Sequence, residues 1–274
     1  MSTLGRTWQL FKQSFNVLSE EPSLVVFPIL TAISALLLMA AFFVPLYRLG
    51  SFQAMAHRTA RWDDYLPLFS WYYANTFVVV FFNSALTACV NMRLSGGDPT
   101  LGDGIRAASS RLPRIAAWTL LSATVGLLLR AIENHEKAGR IVTAILGAGW
   151  TMVTYLIIPV VIIEDRSLPK SVKRSIELLR KTWGAQLAGG FGFGLLGVLL
   201  VLPGFALGLL CMTVSMALGI CVLVTYILML AAIFAAARGI FTVALYRYAT
   251  EGRPPFGFSE TALRGGLPRP SPIY

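Results

Sequence analysis

Residues Leu24–Leu46, LVVFPILTAISALLLMAAFFVPL, run 23 positions without a charge. A helix needs about 20 apolar residues to cross about 30 Å of hydrocarbon, so this stretch predicts a transmembrane helix. Working outward, Leu68–Val90 is equally long and carries two asparagines but no ionisable group. Ile115–Leu129 is shorter and gains length from Arg130, whose stem can snorkel to an interface. Ile141–Ile163 follows. The 54 residues Gly184–Ala237 are too long for one crossing, and Pro203-Gly204 with neighbouring glycines divides them. The expected spans are about 24–46, 68–90, 115–130, 141–163, 185–209 and 214–237. The fold class is an all-α integral membrane protein of six transmembrane helices, one polytopic domain over 1–258 with a flexible tail at 259–274.

Composition agrees. Of 274 residues, 56% are hydrophobic and 13% charged, with mean hydropathy +0.68. Soluble domains run about 45–50% apolar and about 25% charged, so the composition rules out a disordered chain and argues strongly against a soluble domain. The net charge of +10 invites a nucleic-acid reading. With the N-terminus inside, however, sixteen lysines and arginines fall on the inner side and six on the outer. That bias is what the positive-inside rule asks of any such protein. The expectation is a cytoplasmic (inner) membrane protein with both termini cytoplasmic and no nucleic-acid partner. The first apolar run is longer than a signal-peptide h-region and no small-residue cleavage site follows it.

Three segments outside the spans have helical periodicity: Thr3–Ser19, Thr100–Arg114 and Leu168–Trp183. The ten residues Arg6–Phe15 align with Arg174–Trp183 with every position keeping its character. Asp98, Thr100, Leu101, Ile105 and Arg106 align with Asp165, Ser167, Leu168, Val172 and Lys173. Three parallel repeats follow, each a basic amphipathic helix and two crossings. Such helices lie in the inner headgroup plane, with lysine and arginine toward anionic lipid.

The search for chemistry returns little. None of the thirteen acids lies inside an expected span, which speaks against a proton- or sodium-coupled carrier. His57 and His135 sit in different outward loops, and no HExxH or CxxC spacing occurs, so no metal site is expected. Cys89, Cys211 and Cys221 read as small apolar residues. No GxSxG elbow, Walker loop or dinucleotide fingerprint is present, and Gly96-Gly97-Asp98-Pro99 reads as a turn with Asp98 or Thr100 capping the next helix. No catalytic residue and no cofactor is expected. Asn75 and Asn83, eight apart on one helix face, are the most polar positions at membrane depth. Gly190-x-x-x-Gly194 predicts a close helix–helix approach.

Certain residues carry a family resemblance: Phe27-Pro28, Arg93–Pro99, Trp118, Gly126, Gly147–Trp150, Arg174-Ser175, Lys181–Gly184, and Gly239-Ile240-Phe241 with Leu245–Ala249. From about Arg6 to Phe258 the chain resembles a prokaryotic family of integral membrane proteins known as a domain of unknown function, most specifically in GIF…LYRYA. More loosely, it is similar to the membrane domain fused to glycerophosphodiester phosphodiesterases, without their catalytic barrel. The resemblance implies a bacterial or archaeal membrane protein and assigns no residue a role.

The function expected is non-enzymatic engagement of anionic membrane lipid, as an accessory or scaffold component. The lipid contacts would be Lys170, Lys173, Arg174, Arg180 and Lys181, with Arg106, Arg111 and Arg114. Trp8, Trp118 and Trp183 would anchor at the interface. The alternative is a small-molecule or ion transporter or channel with a path near Asn75, Asn83 and Arg238. No feature identifies a protein partner.

Overall fold

The computed structural model describes residues 3–48, 62–133, 143, 146–151, 154–164 and 166–263. Among the described residues the regular elements are all helices. They are α1 (Thr3–Glu20), a 3-10 turn (Pro22–Val25), α2 (Val26–Arg48), α3 (Trp62–Leu94) and α4 (Leu101–Ser109), then α5 (Leu112–Glu133), α6 (Ile157–Ile163), α7 (Leu168–Met212), α8 (Met216–Glu251) and α9 (Glu260–Leu263). Four stretches are long and apolar enough to cross a membrane: Pro22–Pro45, Leu66–Leu94, Leu112–Arg130 and Met216–Glu251. They coincide with the first, second, third and last of the expected spans. Leu196–Met212 is a shorter apolar stretch.

The other two expected spans differ in form. Part of 141–163 lies outside the described residues; what is described is helical at 146–151, turns at Tyr155-Leu156 and resumes as α6. Pro159 has no N–H for the Tyr155 carbonyl four residues back, which favours the break there. The expected division at Pro203-Gly204 is corrected: Pro203 lies inside α7, and the chain turns at 213–215. The proline costs an i→i−4 bond, and Tyr226 Oη donates to the Leu200 carbonyl in the loosened turn at 2.8 Å. Gly204 makes room for that ring, since a Cβ there would stand 2.0 Å from it.

The basic amphipathic segment Leu168–Trp183 is also not a separate helix. It continues into the apolar part of α7 without interruption. The first unit has Pro22 to end its amphipathic helix and the second has the turn before Pro113, whereas Lys181-Thr182-Trp183-Gly184 contains no proline to stop one.

Buried side chains concentrate at one end of the molecule, hereafter the packed end. There Leu10, Val17 and Leu18 of α1, Leu24 and Phe27, Ala85–Leu94 of α3 and Ala236–Ala249 of α8 close on one another. Toward the other end, Ile33–Val44 of α2, Val198–Leu210 of α7 and Met216–Met229 of α8 leave many large apolar side chains uncovered. Apolar surface of that extent requires an apolar surround.

The packed end is tied by polar contacts between distant segments. Arg93 Nη2 reaches Glu20 Oε2 at 3.2 Å, Gln13 Nε2 donates to Ser259 Oγ at 2.9 Å, and Arg247 donates to both Glu251 and Ser95. α4 is seated on α3 at Gly104, where a Cβ would meet Cys89 Sγ at 2.6 Å and Ala85 O at 2.8 Å. Its first turn is closed by Thr100, not Asp98: Thr100 Oγ1 accepts from the Asp103 N–H and Asp103 Oδ2 accepts from the Thr100 N–H. That is a capping box, preceded by Gly96 at φ +86, a conformation glycine adopts without strain. Of the pair expected to make a close approach, Gly190-x-x-x-Gly194, the surroundings of Gly190 lie outside the described residues. Gly194 faces open space, while Gly204, Gly208 and Gly219 bring α7 and α8 together.

Candidate functional site

The expected lipid contacts divide into three groups. Lys170, Lys173 and Arg180 are exposed, with no ion pair among the described residues. They lie on the side of α7 opposite its buried Ser171, Ser175 and Leu178. Arg106 is exposed beside Asp103, and Arg111 and Arg114 are half-buried at the start of α5. Arg174 belongs to the interior: its side chain is 11% exposed, and Nε lies 3.2 Å from Glu164 Oε1. The Lys181 side chain is outside the described residues.

Of the three expected anchors, Trp8 is 54% exposed and begins a stacked ladder through Phe11 to Phe15, with centroids 5.9 and 6.1 Å apart. Phe11 in turn meets Phe234 of α8 at 5.3 Å. Trp118 is turned the other way. It is 4% exposed and stacks on Trp150 at 5.9 Å, because the face of α5 that carries it packs inward. The Trp183 side chain is outside the described residues.

Glu164 escaped sequence reasoning as a site residue. It caps the end of α6, is 15% exposed, and is met by Arg174, by Arg166 and by the Tyr246 hydroxyl at 3.0 Å. Beneath this network Leu178, Leu156, Val160, Tyr246 and Ala249 form a small apolar cluster. Here a carboxylate and an arginine taken from water compensate each other by charge-assisted bonds.

A cavity of about 580 Å³ opens between α3, α6, α7 and α8. Its polar lining is Arg238, Asn83, Thr87, Tyr155 and Thr242; no acid lines it. Asn83 and Arg238, named from sequence as path residues, therefore share one chamber, and Asn75 does not line it. The Thr242 and Tyr155 hydroxyls are hydrogen-bonded at 3.2 Å, and Thr242 Oγ1 also donates to the Arg238 carbonyl at 2.8 Å. Arg238 directly follows the expected span 214–237. It lies inside α8, which runs on to Glu251 and is closed by Gly252 at φ +70. Its guanidinium has no ion pair and no hydrogen bond among the described residues. The break at Tyr155-Leu156 brings α6 to the chamber, and Thr87 and Thr242 carry no sequence signal, since lone threonines in apolar helices form no distinguishing pattern. Among the described residues no three potential ligands group to hold a metal.

The model of a family of unknown function, DUF6159, matches residues 63–256. The chain belongs to that family. The DUF6159 match begins in α3 and ends just past α8, so it takes in every element lining the chamber and leaves out α1 and α2. The GIF…LYRYA stretch lies within it and is almost wholly buried. No curated protein and no solved structure matches the chain, so the looser likeness to the phosphodiesterase-fused membrane domain gains no support.

Proposed function

We propose that this member of DUF6159 is a non-enzymatic integral protein of the cytoplasmic membrane that engages anionic lipid of the inner leaflet as an accessory or scaffold component. Six crossings are reached by adding the interrupted 141–163 segment and the apolar part of α7 to the four long apolar helices. The packed end then faces the cytoplasm, as the distribution of lysine and arginine asks. The parallel threefold repeat survives in this reading as ancestry, with its third amphipathic helix fused to the span that follows.

One observation carries the proposal. Lys170, Lys173 and Arg180 present an exposed cationic face, with Glu177 of the same face drawn to Arg174, at the same end as the outward-facing Trp8 and Phe15. Juxtamembrane lysine and arginine gain about 1 kcal/mol each near an anionic leaflet. The test uses the full chain in nanodiscs of mixed phosphatidylglycerol and phosphatidylcholine, released for native mass spectrometry. Enrichment of phosphatidylglycerol that falls in the Lys170→Gln/Lys173→Gln/Arg180→Gln variant supports the reading; unchanged enrichment refutes it.

A second reading, a transporter or channel, draws on the chamber shared by Asn83 and Arg238. Solute flux in proteoliposomes, abolished by Asn83→Leu, would favour it.

A further inference from the structure

Arg238 is a strong cation facing a roomy, acid-free chamber, and its surroundings select what can occupy it. The turn at 213–215 marks one end of α8, and Arg238 lies 23 residues beyond Ser215. At 1.5 Å per residue that is about 34 Å along the helix, or about 32 Å across a bilayer at a tilt of about 20°. Hydrocarbon occupies about 30 Å and the whole bilayer about 40–45 Å. Under the six-span reading above, on which this inference rests, the guanidinium therefore stands at the level of inner-leaflet phosphates. One turn deeper on α8, Phe234 joins the lining, while Leu86, seated against Gly239, and Ile158 add apolar surface near the level of Arg238.

We propose that this chamber is a discrete binding site for one anionic phospholipid, its phosphate paired with Arg238 and the start of its acyl chains laid along Phe234. The planar guanidinium fork matches two phosphate oxygens. Asn83 and Thr87 supply donors for the remaining oxygens, and the Tyr155–Thr242 pair, whose protons are engaged, offers acceptors to a hydroxylated headgroup. The absence of an acid from the lining removes the usual repulsion against such an anion. About 580 Å³ is far more than a bare oxyanion fills and falls within the range of about 300–1,000 Å³ typical of small-molecule pockets. The site differs from the cationic face of α7, which meets many lipids weakly and without defined stoichiometry.

The test compares the full chain with Arg238→Gln, Arg238→Lys and the triple α7 variant by native mass spectrometry after exchange into phosphatidylglycerol, phosphatidylcholine or inorganic phosphate. The expected result is one tightly retained phosphatidylglycerol per chain. Its retention should fall about tenfold or more in Arg238→Gln, the effect of losing a bidentate charge-assisted pair, and only partly in Arg238→Lys. Thermal midpoints alongside show that each variant is folded. The single bound lipid should persist in the triple variant, which separates this site from the surface reading: loss there with retention in Arg238→Gln would overturn the chamber and leave the surface intact. Equal retention of phosphatidylcholine, or displacement of the lipid by inorganic phosphate alone, would overturn the phospholipid assignment.

Discussion

Replacing Glu164 by glutamine probes the most deeply set of the charge clusters described at the packed end. Glutamine keeps the shape and an oxygen for the Tyr246 hydroxyl, so what is lost is the charge facing Arg174. Removing one member of a buried ion pair costs about 3–5 kcal/mol, because the other is left in a poor solvent. Two features lower that here. Arg174 also lies 3.7 Å from Glu177 Oε2, and Arg166 on the far side of the carboxylate is half in solvent. We expect about 2–3 kcal/mol, which for a chain of this size lowers the thermal midpoint by roughly 5–10 °C. The assay is thermal unfolding of the detergent-solubilised chain, carried through a double-mutant cycle with Arg174→Met. If the pair acts as drawn, the double variant loses less than the two single losses together, by about 1–2 kcal/mol. Single losses that add, or a Glu164→Gln midpoint within a degree of the original, would refute the reasoning and make the cluster a surface ornament.

Two further outcomes follow from the seating of α4. Gly104→Ala places a methyl against the Ala85 carbonyl, which is backbone and cannot swing aside, so the cost is an overpacking one of about 1–3 kcal/mol, readable as a lower midpoint, while Gly102→Ala on the exposed side changes it little. Asp103 is held below the usual carboxylate range, first by the hydrogen bond from the Thr100 hydroxyl and next by that from the Thr100 N–H. Because its folded pKa is depressed, its contribution is complete above the ordinary carboxylate range and is lost as pH falls through the lowered value. The gap in midpoint between the original chain and Asp103→Asn should therefore be present at neutral pH and close in acid; a gap that widens in acid would contradict the capping box.

Much of the fold is legible because hydrocarbon imposes a simple length rule. Leu24–Leu46 and Leu68–Val90 meet it by composition alone, and the helices are there. Interruptions are harder. Pro203 signals a boundary by propensity, yet Tyr226 of the neighbouring helix, 26 residues on from Leu200, and the notch at Gly204 absorb it, which no local reading contains. Conversely, the turn at 213–215 occurs in Thr-Val-Ser, without glycine or proline. The rotation of each helix about its axis is also hidden. Trp118 and Trp8 look alike as aromatic residues beside an apolar run, and only the packing of α5 on Trp150 sends one inward. Arg174 reads as one more cation of a basic helix because Glu164 comes back to it across the α6–α7 turn.

Arg238 shows why the end of an apolar window is not the end of a helix. A window that ends at the first arginine makes it a terminus, but the backbone responds to helix-stopping chemistry, and none occurs before Gly252. The eleven residues that follow it, Gly239–Ala249, are the ones that most mark the resemblance, and nearly all are buried against α2, α3 and α6. A segment so buried is held in one register and one rotation, since a slip would expose Ile240, Phe241 and Leu245 together. The specificity of that sequence is thus a packing requirement, and it has a consequence one position upstream. A guanidinium mounted next to the buried part of α8 shares the chamber with Asn83 and Thr87 at the start of the buried part of α3, so most of the polar lining stands on helices, with Tyr155 in the turn before α6. Sites placed this way keep their geometry when lipid comes and goes. The uncovered helical halves beyond Phe234 are free to follow the bilayer, and the packed end supplies the fixed reference against which an anionic headgroup can be recognised.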